Sequence, residues 1–156
     1  MNILMVCLGN ICRSPLADGL MQKKIADNQL DVQVDSAGTT GIHEGESPDK
    51  RMCNTAKSFG VSIDQLKSRK FTVEDFDRFD LIFTMDKSNK GNVLQLARSE
   101  EDRKKVRLIL DMSYPNKNKE VPDPYYGGEA GFIEVYHLLD QATDCILEKI
   151  KNNDLV

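Results

Sequence analysis

Four short apolar runs, Asn2 to Cys7, Val32 to Ser36, Asp80 to Met85 and Val106 to Leu110, are separated by stretches whose apolar residues return at helical spacing. Rich in Ile, Val, Leu and Phe, the runs predict strands. The stretches between them predict helices. Leu16, Leu20, Met21 and Ile25 repeat behind Ser14 as a candidate cap and Pro15 as a first helical residue, until Asp27-Asn28. Ser47-Pro48-Asp49 opens a second helix, from about Pro48 to Phe59, which Gly60 is placed to end. Thr72-Val73-Glu74-Asp75 starts a short helix, and Ser88 or Asn89 starts another that runs to about Ala97. Phe132, Val135, Tyr136, Leu139, Ala142, Ile146 and Ile150 mark an amphipathic closing helix. The mixed charges from Arg98 to Lys105 read as a solvated helix end and connector.

Strands that alternate with helices call for parallel crossovers. The expected fold is therefore α/β: a single-domain, three-layer sandwich over residues 1–156, with a four-stranded parallel sheet and helices on both faces. A length of 156 residues with 40% hydrophobic content suits one core of that size. A net charge of −4 argues against nucleic acid or an anionic membrane as partner, since both require a basic excess. Ile3-Leu4-Met5-Val6 is too short for a signal core or a membrane span, so a cytoplasmic protein is expected, and a monomer. Four cysteines in a reducing compartment should be free thiols. With no Cys-x-x-Cys and only His43 and His137, no metal site and no cofactor are expected.

The chemistry concentrates where the first strand meets the first helix. Cys7 and Arg13 stand six positions apart in Cys7-Leu8-Gly9-Asn10-Ile11-Cys12-Arg13-Ser14. At the carboxyl end of a strand in an open parallel sheet, such a loop lies in the ligand crevice. Its backbone N–H groups can wrap inward as an anion nest at a helix N-terminus, and the same field favours a thiolate nucleophile. Gly9 permits close backbone approach, Asn10 can pin the loop through its amide, and Ser14 can donate to the sulfur. The connections from Gly38 to Glu46 and from Asp111 to Gly131 are long enough to be functional loops.

Cys7-Leu8-Gly9-Asn10-Ile11-Cys12-Arg13-Ser14 resembles the signature loop of the low-molecular-weight protein tyrosine phosphatases. Asp35-Ser36-Ala37-Gly38-Thr39, Gly45-Glu46-Ser47-Pro48-Asp49, Met85-Asp86 with Asn89, and Asp123-Pro124-Tyr125-Tyr126-Gly127 resemble later segments of that family in the same order. The resemblance implies a metal-free phosphatase acting on tyrosine-phosphorylated proteins and small aryl phosphates through a cysteinyl-phosphate. A cognate tyrosine kinase is a candidate partner.

On that reading Cys7 attacks phosphorus, the loop from Leu8 through Gly9, Asn10, Ile11 and Cys12 to Arg13 holds the phosphate, and the Arg13 fork follows the developing charge. Asp123, held extended by Pro124, is the candidate acid for the leaving phenolate and the later base for water. Ser14 supports the sulfur, and Ser36 resembles the family's structural serine that braces the loop with Asn10. Tyr125 and Tyr126 can wall a slot deep enough for phosphotyrosine. On the opposite wall, where the family often has an aromatic residue, stands Ile42. Cys12 is close enough in sequence to trap oxidised Cys7 as a disulfide.

Other readings are weighed against this one. A thioredoxin-coupled arsenate reductase shares such a loop but relays oxidation through further cysteines, whereas Cys53 and Cys145 each stand alone within helix patterns as small apolar residues. Protein arginine phosphatases carry threonine where this chain has Ile11. A silent phosphotyrosine-binding module has no need of Cys7, Arg13, Ser14 and Asp123 together. His43, without an evident orienting partner, reads as a solvated or capping residue, and His137 as a surface one.

Overall fold

β1 (Asn2–Cys7) is apolar almost throughout because both of its faces are covered. In the computed structural model, which describes residues 1–156, Ile3, Met5 and Cys7 join one hydrophobic cluster, while Leu4 and Val6 join a second on the opposite face. That alternation follows from the two-residue period of a strand. The other strands are β2 (Gln33–Gly38), β3 (Leu81–Thr84) and β4 (Val106–Leu108), and the order across the all-parallel sheet is β2-β1-β3-β4. α1 (Arg13–Asp27), α2 (Lys50–Ser58) and α6 (Glu129–Lys151) cover the first face with Leu16, Met52, Phe132 and Leu139. The second face is covered by Phe71, by Phe76 of α3 (Asp75–Arg78), by Phe79 and by Val93 of α4 (Lys87–Gln95). The expected parallel sandwich is the fold observed. No helix is long and apolar enough to cross a membrane.

The chain leaves β1 to add β2 on one side and later returns to add β3 on the other, so β1 is the switch point of the sheet. Loops diverge there and leave a crevice at the carboxyl ends of the strands. Cys7 is the last residue of β1 and pairs with Gly38 of β2.

Several boundaries differ from the sequence reading, each for a local reason. α1 begins at Arg13 with Cys12 at the cap position, so Ser14 and Pro15 lie within the first turn. The Ser14 hydroxyl does not cap the helix, because it is engaged with Cys7. Asp49, not Ser47, caps α2 by accepting from the Arg51 N–H at 2.8 Å, which leaves Pro48 outside the helix. Asp86 caps α4 ahead of Ser88, accepting from the Asn89 N–H at 2.7 Å. The charged run contains a helix of its own, α5 (Glu100–Lys104), capped by Ser99. β4 ends at Leu108, where a 3-10 turn over Ile109–Asp111 takes over.

Candidate active site

The loop after β1 is held open from outside. Its carbonyls accept bonds from the surrounding chain: Cys7 O from Thr39 N at 2.9 Å, Leu8 O from Thr40 N at 3.0 Å, Gly9 O from Ser68 Oγ at 3.0 Å and Ile11 O from Asp49 N at 2.8 Å. The N–H groups of Gly9, Ile11 and Cys12 meanwhile donate to no protein group. Carbonyls bound outward and amides left over make an anion nest. Asn10 turns the loop at a φ of 56°, in the left-handed region that asparagine tolerates better than most residues. Gly38 lies so close behind that a Cβ there would sit 2.9 Å from Leu8 O and 3.1 Å from Asn10 N.

At the floor of the nest, Cys7 Sγ lies 2.9 Å from Ser14 Oγ and accepts the Asn10 N–H at 3.3 Å. The Asn10 side chain does not line the pocket. It is buried behind the loop, donating through Nδ2 to Ser14 Oγ at 2.8 Å and to Ser36 Oγ at 3.0 Å, while Oδ1 accepts from Arg69 N at 3.0 Å. Ser36 is thus in contact with Asn10 behind the loop.

The Arg13 guanidinium is buried, and Nη1 donates to Asp86 Oδ2 at 2.7 Å and to the Val121 carbonyl at 3.0 Å. Burial works against its charge, but Cys7, Asp86 and Asp123 outweigh that effect and raise its pKa, so the fork stays protonated. Nη2 reaches Asp123 Oδ2 at 3.5 Å, which puts the candidate acid beside the candidate phosphate clamp. Asp123 Oδ1 accepts the Tyr125 N–H at 3.0 Å, an Asx turn that fixes the carboxyl. The acid loop is anchored by Val121 N to Met85 O at 2.9 Å and by Arg51, whose Nη2 donates to Tyr125 O at 3.0 Å. The Arg51 guanidinium also lies over the Tyr125 ring at 5.4 Å.

A cavity of about 310 Å³ opens over this floor, lined by Cys7, Leu8, Gly9, Ile11, Cys12, Arg13, Thr40, Ile42, His43, Asp123, Tyr125 and Tyr126. Every residue singled out in sequence for catalysis or for the substrate wall borders it, with Ser14, Ser36 and Asn10 in support behind. Burial, then Asp49, Cys7 and Asp123, push the Cys12 thiol well above the ordinary range, so this second cysteine stays protonated at neutral pH. Cys53 and Cys145 lie on α2 and α6, half-buried and outside the cavity.

Some of the site escaped the sequence reading. His43 does have an orienting partner, since its Nδ1 lies 2.9 Å from Glu46 Oε2, and the three-residue spacing was the available signal. Asp86 follows the apolar run of β3, at the same end of the sheet as Cys7, and serves both Arg13 and the α4 cap. Nothing local marks Ser68, Arg69 or Val121, whose roles arise across long separations in the chain. No group of three His, Cys, Asp or Glu side chains converges in a way that could hold a metal ion.

Comparison with known proteins gives a consistent result. The family described as low molecular weight phosphotyrosine protein phosphatase matches residues 2–155. A low molecular weight phosphotyrosine protein phosphatase of Schizosaccharomyces pombe is 38% identical over 151 residues, covering 95% of this chain and 96% of the relative. The crystal structure of a protein tyrosine phosphatase from Entamoeba histolytica, with Hepes in its active site, superposes with a TM-score of 0.92 at 41% identity over 99% of both chains. Wzb of Vibrio vulnificus, solved in complex with benzylphosphonate, superposes with a TM-score of 0.85 at 30% identity over 95% of this chain and 97% of its own.

Proposed function

Because the chain belongs to the low molecular weight phosphotyrosine protein phosphatases, we propose that it hydrolyses phosphotyrosine in proteins through a cysteinyl-phosphate on Cys7, with loop amides and Arg13 rather than a metal ion carrying the phosphoryl charge. The observation that carries this reading is the arrangement at the floor of the cavity. A sulfur with two hydrogen-bond partners sits beneath unsatisfied amides and beside a buried, permanently charged guanidinium.

In the first half-reaction Cys7 Sγ displaces the phenolate from phosphorus, and Asp123 protonates the departing oxygen. In the second, Asp123, now ionised, takes a proton from water as water displaces Cys7 and releases inorganic phosphate. The 3.5 Å contact between Asp123 and Arg13 supports one carboxyl serving both steps, since it keeps the acid at the phosphoryl position.

The cavity walls favour an aryl ester. Tyr125 and Tyr126 meet edge to face at 5.0 Å on one side, while Ile42, 78% exposed, offers aliphatic contact on the other. The benzylphosphonate complex of Wzb supports such a slot by similarity. Ile11 lines the cavity with hydrocarbon and supplies no hydroxyl for a guanidinium-bearing substrate, which sets the arginine phosphatase reading behind. Where a peroxide oxidises the Cys7 thiolate to its sulfenic acid, Cys12 is the proposed resolving thiol, forming the disulfide with release of water, and acting slowly because it is protonated.

The test uses matched peptides differing only in phosphotyrosine or phosphoserine. Wild type is expected to favour phosphotyrosine by ~10²-fold or more in kcat/KM, since a short phosphoserine cannot bring its phosphorus to the floor in register. Cys7→Ser should abolish both activities. Equal turnover of the two peptides, or activity that survives Cys7→Ser, contradicts the proposal.

A further inference from the structure

Two loops must meet at the phosphoryl group, and one side chain outside the cavity ties them together. The acid loop from Pro122 to Gly127 is lightly held: apart from the 3.5 Å ion pair of Asp123 with Arg13, it shares a single hydrogen bond with the rest of the protein. That bond comes from Arg51, in the first turn of α2, whose Nη2 donates to the Tyr125 carbonyl at 3.0 Å. Tyr125 in turn donates its N–H to Asp123 Oδ1 at 3.0 Å.

The other side of Arg51 is fixed. Nε donates to Asp49 Oδ1 at 3.1 Å and Nη2 to Asp49 Oδ2 at 2.9 Å, a pairing of fork with carboxylate that sets the plane of the guanidinium. Asp49 is itself joined to the phosphate loop, its N–H donating to the Ile11 carbonyl at 2.8 Å. The guanidinium also lies 4.8 Å from the ring centre of Phe132, a core residue of α6 that is 1% exposed. Every link from Ile11 through Asp49, Arg51 and Tyr125 to Asp123 is therefore a hydrogen bond. Arg51 does not line the cavity, so it acts on the reaction through other residues. Stability alone does not account for the pair, because the Arg51 side chain is 49% exposed and exposed ion pairs add little.

We propose that Arg51 is a positioning residue for the acid: through the Tyr125 carbonyl it holds Asp123 over the leaving oxygen, and through Asp49 it keeps that carboxyl in register with the phosphate loop. The inference rests on Asp123 being the general acid. A carboxyl delivers its proton only from hydrogen-bond distance, and misplacement by about 1 Å costs up to ~10²-fold in rate. The loss falls where protonation matters most, on a leaving group too basic to depart as an anion. A lysine cannot replace the fork, since an ammonium point charge fixes no plane from which to reach Asp49 and Tyr125 together.

The experiment measures kcat/KM on the full chain for phenyl phosphate, which has a poor leaving group, and for para-nitrophenyl phosphate, which has a good one. Arg51→Ala is expected to lower kcat/KM about tenfold for phenyl phosphate and less than about threefold for para-nitrophenyl phosphate. In an Asp123→Asn background the same substitution should change kcat/KM for phenyl phosphate less than about twofold, because no acid is left to misplace. A residue that merely supports the fold would lower both substrates alike and add its loss to that of Asp123→Asn; either result overturns the proposal. Arg51→Lys keeps the charge and should show the same dependence on leaving group, and it decides the matter if Arg51→Ala does not fold. Asp123→Asn alone tests the reading beneath. A loss there that is equal for both substrates removes Asp123 as the acid, whereas a loss that depends on the leaving group in Asp123→Asn but not in the Arg51 variants removes this inference only.

Discussion

Arg13 holds the site together from a buried position, using one edge on Asp86 and Val121 and leaving Nη2 toward Asp123 and the cavity. In the proposed mechanism this side chain has two tasks, which require a planar fork, because an ammonium of the same charge cannot hold a scaffold carboxylate and two phosphoryl oxygens at once. Arg13→Lys is therefore expected to lower kcat by ~10²–10³-fold, the usual loss when a preorganised donor to developing charge is removed. Circular dichroism should be unchanged, and steady-state turnover within tenfold of wild type would remove Arg13 from the mechanism. That Cys7, Arg13 and Asp123 would border one cavity was legible in the sequence, because each stands in a motif whose residue types and immediate neighbours mark it. The bond from Arg69 N that sets which way the Asn10 amide faces was not, since Arg69 is remote in the chain and nothing beside it marks the role.

Among the elements, the strand–loop–helix unit and the strand beside it act as one piece. Gly38 ends β2 with no room for a side chain against the phosphate loop, because the nearest atoms are backbone and cannot swing aside. Gly38→Ala should push the loop amides out of place and lower kcat by ~10–10²-fold, as misplacement on the ångström scale does. Gly91, inside α4 with open space around it, provides the control: Gly91→Ala should leave kcat unchanged and stabilise the fold by about 0.5–1 kcal/mol in urea melts. Equal effects of the two substitutions on kcat would show that contact with the loop is not what Gly38 provides. The strands and the long helices were readable because their apolar periods are long and regular. Helix starts were less so, since Ser14, Ser47 and Ser88 are all plausible caps by type, while the actual capping side chains at α2 and α4 are Asp49 and Asp86. Ser14 departs from the local rule because its hydroxyl faces the sulfur, as expected where function competes with local preference.

For the whole molecule, the buried carboxyl of Asp18 makes stability depend on pH, because burial raises its pKa. Its pKa is raised from the ordinary 3.8 to about 6 in the fold, so the folded state binds this proton more tightly than the unfolded chain does. The sign follows: below pH ~4 Asp18 is protonated in both states, and as pH rises through ~6 the fold loses up to about 3 kcal/mol from this group. Asp49 acts oppositely and at lower pH, because Arg51 depresses its pKa and its contribution is lost only on stronger acidification. Asp18→Asn should consequently be more stable than wild type at pH 7.5 and lack the gain wild type shows between pH 7 and 5. Urea melts across that range check both; a variant less stable than wild type at pH 7.5 contradicts the account.

The central claim is that Cys7 carries the phosphoryl group between the two half-reactions. Asp123→Asn should let Cys7 attack a substrate with a good leaving group, such as para-nitrophenyl phosphate, and then stall for want of a base. Acid quenching of that variant within the first turnover, followed by peptide mass spectrometry, is expected to find one phosphoryl group on the peptide bearing Cys7 and none when Cys7→Ser is combined with it. Phosphate released in a burst with no modified Cys7 peptide at any time, or a phosphoryl group found on another residue, would contradict the mechanism.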